Sequence, residues 1–515
     1  MYKYLITFCL TLLCLNFSIT AQIKLIAESK PFDEPSGDCG IVQMKNGNTV
    51  FFSYNKKDGI SIRIYDKDHV EKATNNFSVA EDLKKENFKT VFEVNNDAVI
   101  FISCFSEGMP ALMRFIVDGN TGMKKEEKKI IQIEGKGGIP DEQATAFIIK
   151  NDPVSGNYAV SAINLRENDD NKRIQVILYN TSNTELKKTW LLTNDDKDYK
   201  FFIVMNMAIV NANQVKVFLY NGKEKYFSNT KPGRFVMASV NVKNETPAYT
   251  TISLPEGIKF DKCLTDYSQA LNKLFVIVTE PVHSPDAVLQ YYIKIDPATD
   301  KAEVKNFTSI SEAMTAKFNE RYSTRGNYTG TMQEFSTNAD GSFTAVYEDR
   351  FNYNLQVIST GGGFGNGTKS SSYSTSYWGK IMVATYNPEG QKLSEYIVPK
   401  LYISTGSPYK DLLFVNNGKN AYMCINDTRR NNNVVKDKFA EVSGIADCDA
   451  FYFKLQGTDN FPARDYVFGD QDKSRLLIAN RYVDYNKAEN TLATMKLTIA
   501  SGKPKQCNIV WLQPQ

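Results

Sequence analysis

The sequence predicts an all-β chain folded as a β-propeller of seven or eight four-stranded antiparallel blades, with short helical insertions in its loops. Three observations predict it. A cluster of Asn, Asp or Gly followed at once by an apolar run recurs along the whole chain. Each recurrence is followed by an alternating strand that ends in a second tight turn. Tyr (28) and Phe (31) are abundant among the 515 residues, the composition of strands rather than of helices.

The first strand of each pair is marked by its turn. Asn46-Gly47 precedes residues 49–54, Asn95-Asn96-Asp97 precedes 98–105, and Ser155-Gly156-Asn157 precedes 158–163. Asn211-Ala212-Asn213 precedes 215–220, Leu271-Asn272 precedes 274–279, and Asn338-Ala339-Asp340-Gly341 precedes 342–347. Asn417-Gly418 precedes 421–425, and Asp470-Gln471-Asp472 precedes 476–479. Asn, Asp and Gly suit such turns because they tolerate positive φ and bond their own backbone. The alternating partners are 60–65, 111–117, 174–179, 235–242, 289–295, 381–386, 450–455 and 492–499, each running into a second turn. A further strand commonly follows, as at 129–133 and 508–512.

The unit is therefore a four-stranded meander, A to D, recurring about every 61 residues. One meander cannot bury both of its faces, so neighbouring blades must cover each other. The last two units are the least regular, which leaves seven and eight blades both open. Residues 22–27 read as a strand that completes the last blade beside 507–512, removing the sheet edge. Ser309-x-x-Glu312 reads as a capping box before Ile310, Met314, Phe318 and Tyr322, the stripe of a helix of about 13 residues. Ser78-x-x-Glu81 starts a shorter version.

Lys3, an uncharged apolar run over 4–19 and the small residues before Gln22 read as a signal peptide over 1–21, followed by one propeller domain over 22–515. The run is shorter than a membrane span. The layout of turns resembles uncharacterised exported propeller-like proteins of Bacteroidota over most of the mature chain. The Ala21-Gln22 junction and the Lys, Asn and Ile content carry the same resemblance. It implies export to the periplasm, with secretion or surface display as the alternative, and transfers no functional residue.

Charge and histidine narrow the chemistry. Lys+Arg 61 against Asp+Glu 58 gives +3, no electrostatic footprint for nucleic acid. Two histidines, His69 and His283, exclude a multi-histidine metal site. No metal and no cofactor are expected. Six cysteines remain after residue 21, none in a C-x-x-C pair. Cys39 with Cys507 would close the ring and Cys424 with Cys448 would clip a loop; six buried thiols is the competing reading.

No catalytic constellation is read. Gly362 to Lys369 fails as a phosphate loop, because the order is Gly-Thr-Lys and no helix pattern follows. Asp470-x-Asp472 lacks the Gly and distal Glu of a calcium loop. Carboxylates such as Glu34, Asp38 and Asp261 carry no marking spacing.

What the sequence offers instead is a face. The A–B and C–D turns are short, whereas the B–C and D–A connections on the opposite side are long and varied, and function on repeat scaffolds gathers where insertions do. Phe364, Tyr373, Tyr377 and Trp378 on the long segment 350–380, with Arg429 and Arg430 on another, are the expected partner-binding residues. The expectation is a non-enzymatic binding module for a protein partner such as an outer-membrane β-barrel complex. The alternative is a carbohydrate-binding or glycan-cleaving propeller with a central carboxylate pocket.

Overall fold

The structure is a computed structural model that describes residues 23–515 apart from 80–83, 134–144, 165, 166, 168, 193–198, 200, 223–232, 256, 257, 281–288, 323–327, 329, 360–368, 404–408, 410, 434–439, 441, 443, 459, 471–473 and 502–504. The expected signal peptide and His283 lie outside the described residues.

Eight antiparallel sheets follow one another around a ring, each a meander of four strands, with a short fifth segment added to two of them. The protein is an eight-bladed β-propeller. The A strands of neighbouring blades meet around the central channel, while the D strands stand at the rim. Blade 1 shows the pattern: Asp38–Gln43, Thr49–Asn55 and Gly59–Tyr65 are largely buried, and Glu71–Phe77 alternates exposed and half-buried.

The turns form for the reasons their residues suggest. Asn95 and Asn96 both hold positive φ, 52° and 63°, as a two-residue hairpin turn demands. Asp66 Oδ1 accepts from the N–H of Asp68 and Val70, and Asn387 Oδ1 from the N–H of Glu389 and Gln391. Asparagines also tie blades together. Asn48 Nδ2 donates to Gly119 O at 2.9 Å and Asn157 Nδ2 to Ala212 O at 2.7 Å, each in the next blade's turn. Between blades lie apolar layers, such as Phe101 and Leu112 of blade 2 against Tyr158 and Val160 of blade 3.

Closure corrects one expectation and supports another. Ile23–Glu28 pairs antiparallel with Gln506–Pro514, so the N-terminal strand does complete the last blade. The assignment within that blade is shifted by one strand. Residues 476–479 belong to the A strand Ser474–Asn486, Thr491–Ala500 is strand B, and Gln506–Pro514 is strand C. Asp470 precedes strand A of this blade, so the turn expected there is not its A–B turn. The true turn, after Asn486, has no Gly, and a four-residue bulge between Ile478 and Val483 interrupts the alternation that would have revealed a long strand.

Trp511 holds the seam between blades 8 and 1, while Ser29 and Glu28 tie the N-terminal strand into blade 8. Trp511 is fully buried against Tyr65, its ring stacks on His69 at 4.3 Å, and its N–H donates to Thr49 Oγ1 at 3.0 Å. Ser29 Oγ accepts from Ile509 N–H at 2.9 Å. Lys496 pairs with Glu28.

The helix is Glu312–Tyr322. Its N-cap is Ser311, whose Oγ accepts from Met314 N–H at 3.1 Å and donates to Glu395, so the cap lies two residues beyond the expected Ser309. Met314 and Phe318 are buried against the core between blades 5 and 6. The second helix expected after Ser78 is not formed from Lys84 onward, where the A strand Lys84–Val94 begins.

Candidate functional site

The A–B and C–D turns lie on one side of the disc and the B–C and D–A connections on the other. Blade 6 departs furthest from the common plan. Its B and C strands, Phe343–Ser359 and Lys369–Tyr386, continue in register after strand A has ended at Thr331. From Arg350↔Trp378 to Ser359↔Lys369 the pairing runs on, joined at its first two pairs by a short strand and two-stranded beyond them. Ten pairs at 3.4 Å each make an arm about 34 Å long. The segment read as a long connection is thus, over its described residues, two paired strands. Tyr373 and Tyr377 are strand residues opposite Leu355 and Phe351, and Phe364 lies outside the described residues.

Trp378 stands at the root of the arm. It pairs with Tyr402 of a short strand, Tyr402–Ile403, and is half-buried beneath two cations. Arg350 lies 4.7 Å and Lys400 5.4 Å from its ring. Both cations hold Glu348: Lys400 Nζ at 2.5 Å from Oε1 and Arg350 Nε at 2.5 Å from Oε2. Glu348 and Lys400 are fully buried, so this pair fixes the arm's root rather than meeting a ligand.

The cluster continues toward the channel. Arg350 Nη2 lies 3.9 Å from Asp411, whose other oxygen accepts from Arg481 Nε at 2.8 Å. Arg481 sits on the blade 8 bulge, which turns it out of the sheet. Thr494 Oγ1 holds that bulge by donating toward the carbonyls of Ala479 and Tyr482. Glu334, on the A strand Thr331–Thr337, shares a sheet face with Val346 and Glu348. Burial pushes its carboxyl up to about 7, against the pull of Arg350. Lys262 donates to Met332 O at 2.9 Å, and burial lowers its amine below the usual range. Blades 5 to 8 thus bring Lys262, Glu334, Arg350, Asp411 and Arg481 together at the long-loop end of the channel.

The remaining expected residues divide. Arg429 is spent on the scaffold: its Nε lies 2.5 Å from Asp449, its Nη1 2.8 Å from Asp470, and its guanidinium 5.7 Å from the Tyr466 ring. Arg430, its neighbour on the short 3₁₀ turn Arg429–Asn433, is exposed. The six cysteines are buried free thiols, so neither expected pairing is formed. Cys424 faces Tyr452 and Cys448 faces Thr428 on the same hairpin. That offset of four pairs holds them about 13 Å apart, too far for a disulfide. Cys39 and Cys507 share one apolar cluster at the seam. Glu34 bonds Tyr409 and Lys505, and Asp38 accepts from Phe88 N–H at 3.4 Å, so neither is a paired central carboxylate. Among the described residues no three His, Cys, Asp or Glu side chains group as a metal site.

Sequence reading missed Glu334, Glu348, Lys400, Asp411 and Arg481. A charged residue inside a strand read as apolar, Glu348 after residues 342–347, was the available signal.

No protein-family model matches the chain, and neither does any curated protein. Solved structures do. A polysaccharide lyase, Uly1, is similar at 12% identity and a TM-score of 0.38, over 85% of this chain and 91% of its own. A protein of unknown function from Dyadobacter fermentans is similar at 7% identity and a TM-score of 0.34, over 96% and 100%. An α-L-arabinofuranosidase from Fusarium graminearum is similar at 11% identity and a TM-score of 0.30, over 72% and 93%. None of them lends this chain a residue or an activity.

Proposed function

We propose that this propeller is a non-enzymatic binding module of the periplasm, an accessory subunit of an outer-membrane protein complex such as a secretion or assembly machine. It docks through its long-loop face, with the blade 6 arm foremost. The observation that carries the reading is the arm itself, ten strand pairs beyond the body of the blade. Among the described residues its outer pairs meet no further strand, which leaves its edges free to pair with another chain. The buried Glu348–Lys400 pair and the cations over Trp378 hold the root rigid, which lowers the ordering cost of docking.

The test is affinity purification of the tagged native protein in mild detergent, with and without residues 351–377 replaced by a tight turn. Loss of an outer-membrane β-barrel partner from the shortened protein supports the docking role. Recovery of the same partner from both forms removes the arm from it.

A second reading, a carbohydrate-binding or glycan-cleaving propeller, is favoured by one observation. Glu334, with a carboxyl near neutrality, stands near Arg350 and Asp411 at the channel end. Turnover of a glycan that Glu334→Gln abolishes would favour it over docking.

A further inference from the structure

The channel wall between blades 2 and 4 carries two lysines that the scaffold does not use. Lys89 on Lys84–Val94 and Lys150 on Thr145–Asn151 line one cavity of ≈ 310 Å³, with Thr90, Phe147, Met205 and Asn206 among its other walls. Neither amine has a hydrogen bond or an ion pair among the described residues. For both, burial lowers the amine below the usual lysine range, and no carboxylate acts on either.

Several other lysines have partners. Lys216 meets Asp300 and Ser239, Lys392 meets Glu395, Lys400 meets Glu348, and Lys496 meets Glu28. Lys262 at least reaches a carbonyl. Lys150 is half-buried and Lys89 exposed at this one cavity, and the hydration that each amine loses is offset by no carboxylate. An oxyanion would offset both.

We propose that this cavity binds a small organic anion of monosaccharide size, its carboxylate or phosphate group held by Lys89 and Lys150 and its body lying along Phe147 and Met205. The volume suits one sugar ring, and the mixed lining of amines, a hydroxyl and apolar side chains suits a body that is polar at its edge and apolar on its face. The inference goes beyond docking through the arm and does not depend on it.

Titration calorimetry of the full mature chain tests it, using glucuronate and glucose 1-phosphate, with glucose and inorganic sulfate as controls. The expected result is that a charged sugar binds at least about ten-fold more tightly than glucose and than sulfate. Lys89→Met with Lys150→Met then loses at least about ten-fold in affinity, as removal of charge-assisted hydrogen bonds should. The double variant melts no lower than wild type, because the amines it removes are unpaired, and Lys150→Arg keeps binding. The proposal is overturned if neither charged sugar exceeds glucose, if sulfate binds as well as either, or if the double variant binds like wild type.

Discussion

The indole N–H of Trp511 donates to Thr49 Oγ1 at 3.0 Å, joining strand C of the last blade to strand B of the first. Both residues are buried, so the bond has no competing water. Trp511→Ala should cost about 3–5 kcal/mol through the cavity it leaves. Thr49→Val, which orphans the indole N–H without changing volume, should cost about 1–3 kcal/mol. Urea unfolding of the two variants checks both figures. A loss for Trp511→Ala within error of zero would mean that the seam does not limit stability.

The Glu348–Lys400 pair makes a prediction with an internal control. Lys400→Met leaves Glu348 buried with Arg350 alone and should lose about 3–5 kcal/mol. Replacing both residues by Met should recover most of that loss, since paired buried ions give little net stability over apolar isosteres. A double variant as unstable as the single one would contradict this account of the arm's root.

Glu334 predicts a pH dependence. Its carboxyl is raised to about 7 by burial, so the folded chain binds the proton more tightly than the unfolded chain does. Its contribution to stability is therefore full below the ordinary carboxylate range and is lost as pH rises through about 7. Asp349, also raised to about 7 by burial, acts in the same direction. Denaturation midpoints from acid to neutral pH should fall more steeply for wild type than for Glu334→Gln. Parallel curves would show that Glu334 titrates normally.

The Asn95-Asn96 turn predicts opposite effects from two small substitutions. Asn96 has φ of 63°, where Ala is strained, so Asn96→Ala should destabilise by about 1 kcal/mol. Asn96→Gly should be neutral or better. Thermal unfolding distinguishes the two.

Arg429 and Arg430, read alike from sequence, should part company in the pull-down. Arg429→Ala should lower stability by breaking its contacts to Asp449 and Asp470, with partner recovery unchanged in the folded fraction. Arg430→Ala should leave stability unchanged and lower partner recovery.

The sequence by itself determined the ring. Turn chemistry and strand alternation are local, so Asn46-Gly47, Asn95-Asn96 and Asn417-Gly418 marked A–B turns, and the lone strand at the N-terminus marked its own missing partner. It failed where a local signal was absent or misleading. In blade 8 a bulge hid a strand, and between residues 350 and 378 a run of Ser, Asn and aromatics looked like a loop but pairs as a ribbon. Only the tertiary structure decided the number of blades, the shift in the last one, and which charges meet. Glu334, Asp411 and Arg481 come from three different blades, and Lys89 and Lys150 from two others. Their proximity is set by how blades pack around an axis, and no spacing along the chain records that.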